Sequence, residues 1–227
     1  MGRLQSLFPT HQFDVIIGSL LGDARLECRS VGLRSPITAR LRVHHGEKQK
    51  EFVFWKYDAL KNLVSKEPRE IKWINPKRSL LEISWYFHTR SSEALGMLHG
   101  YFYKNGEKIL PENIFDFFTP QMMAAWFMDD GSNIGAGFTL STHSFSREEQ
   151  MRIAAYLENR YAITATIVKD RAKFKIGVGR NDRDRFVDIV RPFIIPSMIY
   201  KIVDPRNDLT LSLSKGRSGW MGSSLIR

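Results

Sequence analysis

Cysteine is almost missing: Cys28 is the only one in 227 residues. A single thiol excludes an internal disulfide and any zinc site built on cysteine pairs, and it suits a reducing compartment. Long apolar runs are missing too. No stretch approaches the roughly 20 residues that span a bilayer, and Met1 to Gln12 lacks the apolar segment of a secretory signal. Acids are the scarcer charge, 24 against 34 Lys and Arg, giving a net charge of +10 and a pI near 9.8. These shortages lead us to expect an intracellular protein with no membrane partner and a polyanionic one. What is present is 43% hydrophobic and 12% aromatic, which argues against disorder and supplies a core for one large domain or two small ones.

Two short apolar stretches end in carboxylates. Met122 to Gly131 follows Thr119-Pro120, a good N-cap followed by the residue favoured at the first helical position. It reads as a helix apolar on nearly all sides, and therefore buried, that ends in Asp129-Asp130-Gly131. A carboxylate at the end of a buried helix is costly unless it is paired or binds a metal. Phe13 to Ala24 has the same form, with Thr10 as its expected cap and Asp23 as its acid.

The order of elements after each acid repeats. Strands are expected over 25–31 and 37–44, a helix over 47–64, a hairpin from 71–74 and 80–88, and a helix from Ser91-Ser92 to about Tyr103. After the second acid come a short strand pair containing 138–142, a helix opened by the capping box Ser146 to Glu149, a hairpin of 164–169 and 173–178, and a helix over 182–190. Each half closes on a lysine, an isoleucine and a nearby proline: Lys108-Ile109-Leu110-Pro111, then Lys201-Ile202-Val203-Asp204-Pro205. Gly18, Gly22 and Ala125 are small enough for the two apolar helices to approach closely. That packing would bring Asp23 and Asp130 together.

Such a pair invites a hard divalent cation, and magnesium is commonly held by one or two carboxylates plus phosphate. Phosphodiester hydrolysis needs a nucleophilic water and neutralised charge, which bound metal and a nearby lysine supply. One Asp and one Lys per half fits one centre for each strand of a duplex. Taken singly, each acid also reads as a turn residue and each lysine as a surface charge; the paired order carries the argument. His44-His45 suggests a metal site, but neighbours on a strand point to opposite faces and do not readily share one ion.

Ile16 to Ala24 and Met123 to Gly131 both resemble the motif of the LAGLIDADG homing endonucleases, with Asp23 and Asp130 on its last acid and Ala24 in place of its final glycine. The resemblance covers roughly residues 10 to 205. It implies an α+β fold: a pseudo-twofold pair of αββαββα halves, 10–111 and 112–205, each with a curved antiparallel sheet, joined through two central motif helices. Residues 206–227 read as a polar tail. The resemblance further implies a monomer that cuts both strands of a long DNA site and promotes intron mobility, using Mg2+ with Mn2+ able to substitute. Asp23 and Asp130 would bind the metals, helped by the carbonyls of Gly22 and Asp129, and Lys108 and Lys201 match the active-site lysines. The sheets would lie in the major groove. The facing positions would be Thr38, Arg40, Arg42, His44, Glu82, Ser84, Tyr86 and His88 from the first sheet, and Thr139, Ser141, Lys173 and Lys175 from the second. Arg and Lys read guanine there, and Glu accepts from cytosine N4. Two other readings stay open: an RNA maturase that assists splicing of its intron, and a DNA-binding regulator that does not cut. The family's distribution leaves mitochondrion, chloroplast and prokaryotic cytoplasm open.

Overall fold

The computed structural model describes residues 2–28, 37–77 and 79–203. A short helix, α1 (Gly2–Gln5), precedes α2 (Thr10–Leu21). Thr10 does not cap α2: Pro9 occupies the cap position and the helix begins on Thr10 itself, with the Phe13 amide donating to the Pro9 carbonyl at 3.0 Å. Then come β1 (Arg25–Cys28), β2 (Ala39–Gly46), α3 (Lys50–Ala59), β3 (Arg69–Asn75), β4 (Leu80–His88) and α4 (Glu93–Phe102). A small ribbon, β5 (Tyr103–Lys104) with β6 (Glu107–Lys108), ends the first half. The helix expected over 47–64 is three pieces, since 3-10 turns at Glu47–Gln49 and Lys61–Leu63 flank α3. The rest of the strand expected to reach Val31, and the tail at 206–227, lie outside the described residues.

The second half runs α5 (Pro120–Asp130), β7 (Gly131–Asn133), β8 (Phe138–Leu140), α6 (Arg147–Tyr161), β9 (Ala165–Asp170), β10 (Lys173–Val178) and α7 (Arg183–Val190). Thr119 caps α5, its hydroxyl accepting from the Met122 amide at 3.1 Å. The capping box on α6 forms in both directions, Ser146 with Glu149.

Each half contributes one antiparallel sheet of four strands in the same spatial order: β1-β2-β4-β3 and β7-β8-β10-β9. The alternation of β2 sorts its side chains. Ala39, Leu41, Val43 and His45 are buried, while Arg40, Arg42 and His44 lie on the other face. The motif helices α2 and α5 pack on each other at the centre, with Phe13 and Val15 to Leu20 on one and Met122 to Phe127 on the other nearly all excluded from solvent. Their approach depends on small residues. A Cβ on Gly18 would sit 2.6 Å from both the Ala125 Cβ and the Met122 carbonyl oxygen. At the far end of the pair, the Thr119 hydroxyl also donates to buried Asp14 at 3.0 Å, tying one helix start to the other. Among the described residues no helix is long and apolar enough to cross a membrane.

Candidate active site and DNA-binding faces

The two motif helices end differently. α5 continues to Asp130, which is its last residue, whereas α2 stops at Leu21, two residues short of Asp23. Asp23 therefore sits in a turn, its side chain 54% exposed, and Asp130 is half-buried on the helix itself. Both acids were expected at helix tips; the earlier end of α2 accompanies a hydrogen bond from the Ala24 amide back to Ser19. Ala24 in place of glycine is accommodated there, packed in the core. Gly131 has an ordinary extended backbone, and what demands glycine is space: a Cβ would collide with the Phe127 ring. The residue four before Ala24 is Leu20, which has no ring.

The carboxyl of Asp130 is pushed up to about 8, first by burial and next by the charge of Asp23, with Asp129 adding to it and Lys108 and Lys201 opposing. That coupling places Asp23 and Asp130 in one electrostatic site. Each half then adds its lysine. Lys108, at the end of β6, donates to the carbonyls of Gly22 at 2.8 Å and Ala24 at 3.1 Å. Lys201, at the end of a 3-10 helix (Pro196–Lys201), donates to Met128 at 2.5 Å and Asp129 at 3.1 Å. Burial lowers both amines despite the attraction of the acids, Lys201 to about 8. Beside Asp130 lies a cavity of about 500 Å³ lined by Gln49, Ser132, Ser141, Tyr200 and Lys201 among others.

Asp129 has a role of its own. Its carboxylate is fully buried and meets the Lys56 ammonium at 2.6 Å and the His45 imidazole at 3.1 Å. Burial pushes this carboxyl up, but Lys56 and His45 outweigh it and hold it below the usual carboxylate range. Asp129 faces Gly22 across the helix pair: a Cβ on Gly22 would fall 2.7 Å from its Oδ2. The missing side chain of one half makes room for the charged side chain of the other. Asp23, His45 and Asp129 also bring ligand atoms within 4.8 Å of one another. Lys56 already supplies the cation there, so a metal in that trio would have to displace a buried ion pair. The Asp23 and Asp130 pair suits a divalent ion better, because the charge of Asp23 adds to burial in lifting Asp130, and each motif carbonyl has a second lone pair beyond the one its lysine takes.

Lys56 does not stand out in the sequence as a site residue, and His45 stands out only as half of a His44-His45 pair that does not readily share one ion. His45 follows Val43 on the buried phase of β2, and Lys56 follows Phe52 by one helical turn on α3. A titratable group on an apolar phase was the available signal. His44 and His45 do point to opposite faces: His44 bonds the Ser84 hydroxyl at 2.9 Å on the sheet's other side.

On that side the first sheet is basic and organised around Glu27, which the sequence reading passed over. Glu27 takes Arg40 at 2.8 Å, Arg25 at 2.9 Å and Arg42 at 3.8 Å, with His88 at 3.6 Å. Burial pushes the Glu27 carboxyl up, but the hydrogen bonds from Arg40 and Arg25 win and hold it low. Burial first, and the charge of neighbouring arginines next, lower the imidazoles of His44 and His88. Tyr86 stacks edge-on against both histidines, and Glu82 accepts from Asn75 at 2.6 Å. Thr38 lies just before β2. On the second sheet Lys173 is exposed and Lys175 pairs with Asp170 at 2.9 Å. Thr139 lies opposite Gly177, on the face of Lys173 and Lys175, but β8 is a central strand and Thr139 is only 7% exposed. Ser141 lies past the end of β8, against the cavity beside Asp130.

A model of the LAGLIDADG DNA endonuclease family matches residues 13–186, and the match spans both motif helices and both sheets. The chain belongs to this family. It is similar to the DNA endonuclease I-ChuI of Chlamydomonas applanata, 30% identical over 210 residues that cover 85% of this chain and 94% of that one. It is similar as well to the cytochrome b mRNA maturase bI2 of Debaryomyces hansenii, 28% identical over 83% of this chain and 72% of the maturase. In fold it matches the homing endonuclease I-WcaI, solved bound to its DNA recognition sequence, with a TM-score of 0.78 at 23% identity, covering 89% of this chain and 91% of that one. The LAGLIDADG assignment explains why the two halves share a strand order and meet on two apolar helices.

Proposed function

We propose that this LAGLIDADG endonuclease is a monomeric, site-specific homing enzyme, dependent on Mg2+, that makes a staggered double-strand break in a long DNA site, with halves at 10–111 and 112–205. The observation that carries the reading is the packing of two like halves on their motif helices, with an acid at the end of each and a lysine, Lys108 or Lys201, donating to the carbonyls of Gly22 or Asp129 beside it. Asp23 and Asp130, with the carbonyls of Gly22 and Asp129, are the residues that would hold Mg2+. Bound there, the ion supplies charge neutralisation and an acidified water for attack on phosphorus.

The chain's own groups do the rest. The carboxyl of Asp130 must give up its proton to serve as a ligand, and Lys108 and Lys201 lower the cost of that charge. Each lysine, its amine lowered by burial, is suited to orient water and, as the ammonium, to stabilise negative charge developing on a phosphate. Lys56 and His45 keep the Asp129 carboxylate out of the reaction by pairing it. Arg40, Arg42, His44, Glu82, Ser84, Tyr86 and His88 on one sheet, and Lys173 and Lys175 on the other, face the DNA, with Thr38 and Ser141 at the strand ends. Glu27 holds the arginines in fixed directions, which favours base reading over loose phosphate attraction.

Incubation with Mg2+ and a library of uninterrupted candidate insertion sites should yield double-strand breaks with short overhangs at one site. No cutting anywhere in such a library sinks the proposal. The likeness to a bI2 maturase supports a second reading, assistance to intron splicing; precursor RNA that splices at the same rate with and without the protein removes it.

A further inference from the structure

The tip of the β3–β4 hairpin exposes apolar side chains. Trp73 is 44% and Leu80 59% exposed, and Ile71 is half-buried beside them. The register fixes their face. Directly opposed residues of antiparallel strands project to the same side. Trp73 lies opposite Glu82, Ile71 opposite Ser84 and Arg69 opposite Tyr86, while Leu80 lies opposite Asn75 and two residues before Glu82. All of these share the face of Arg40, Arg42 and His44, since His44 lies opposite Tyr86. Ile74 and Leu81, also exposed, point to the other side and do not belong to the patch.

The matching positions of the second sheet differ. There the face carries Lys173 and Lys175 on β10, with Val168 opposite Lys175 and Asp170 opposite Lys173. One basic face thus ends in an apolar corner and the other in charges. A tryptophan and a leucine held at a strand end, in continuity with arginines, are costly to leave in water and add nothing to phosphate attraction. In a major groove the apolar feature on offer is the thymine C5-methyl.

We propose that Trp73 and Leu80, supported by Ile71, form a specificity pocket for a thymine methyl group in the DNA major groove. The inference rests on the DNA-cutting reading. Gly46, at the end of β2 next to His45, lies opposite Ser84, so the hairpin tip reaches past the acid-side end of β2.

The test uses the full chain and a duplex selected from a randomised pool for tight binding in Ca2+. Each thymine is replaced singly by uracil, which removes only the methyl group. At one position the replacement should weaken binding about fourfold, the effect of one buried methyl. In Trp73→Ala and in Leu80→Ala that same replacement should cost little, because the methyl has lost its contact. Because the uracil duplexes probe the unmodified protein, poor folding of a variant does not spare the proposal. It is overturned if no thymine is sensitive, if the sensitivity survives both substitutions, or if the substitutions abolish self-association and leave base discrimination unchanged. If no duplex is selected at all, the DNA reading itself fails.

Discussion

The two halves share a strand order but not a centre. In the first, Gly22 leaves a gap, Asp23 sits exposed in a turn, and Lys108 reaches in from a two-stranded ribbon. In the second, Asp129 fills that gap with a buried carboxylate, Asp130 rides the helix, and Lys201 reaches in from a 3-10 helix. The same two charges are delivered by unlike scaffolds. What is common to both is a lysine that donates to the carbonyls at the end of a motif helix, next to that helix's acid. The extra charge on Asp129 is then absorbed by Lys56 and His45, both from the first half. The asymmetry is therefore also a bond between halves.

The largest effect should come from cutting that bond. Lys56→Met leaves the Asp129 carboxylate buried without its cation, and we expect a loss of about 3–5 kcal/mol in urea unfolding. In an Asp129→Asn background the same change should cost much less, because an amide needs no ammonium. Equal losses in both backgrounds would mean that Lys56 acts only through packing.

The next effect concerns the gap. Gly22→Ala forces a methyl against a carboxylate that Lys56 prevents from moving, and should cost about 1–3 kcal/mol. Gly100→Ala, in α4 of the same half with nothing within 4 Å of the new Cβ, should instead stabilise by about 0.5–1 kcal/mol. If the two changes are alike, the close packing of Gly22 on Asp129 is wrong.

The last effect is on pH. The Asp130 carboxyl stands at about 8 in the folded protein against 3.8 for a free one. Between those values the unfolded chain sheds the proton and the folded chain keeps it, so stability present below 3.8 declines as pH rises toward 8. Urea midpoints in chelator should follow that decline in the parent and flatten in Asp130→Asn. Mg2+ replaces the proton, so its added stabilisation should grow over the same range. A parent profile as flat as that of the variant would place Asp130 outside the shared site.

Much of this was legible in the sequence because the repeat is written in element order and in period. Alternation in β2 and β4, the Thr119 cap and the Ser146 box all report local preferences, and local preferences survive folding. The partners of Asp129 were not legible. Lys56 lies 73 positions away and His45 arrives from a different element, so nothing short of the packed tertiary structure joins them. Glu27 was hidden for a related reason: its meaning depends on register with Arg40 on the neighbouring strand. Thr139 shows the opposite limit. Alternation gave its face but not what covers a central strand.

The central claim is that Asp23 and Asp130 form one metal-dependent site from two unlike halves. Its most direct test is cleavage of a plasmid carrying the selected site by Asp23→Asn and Asp130→Asn in Mg2+, with binding followed in parallel. Both variants should bind that DNA and neither should linearise the plasmid, with a drop of at least about 10³-fold in rate. Linearisation at the parent rate by either variant would contradict the account.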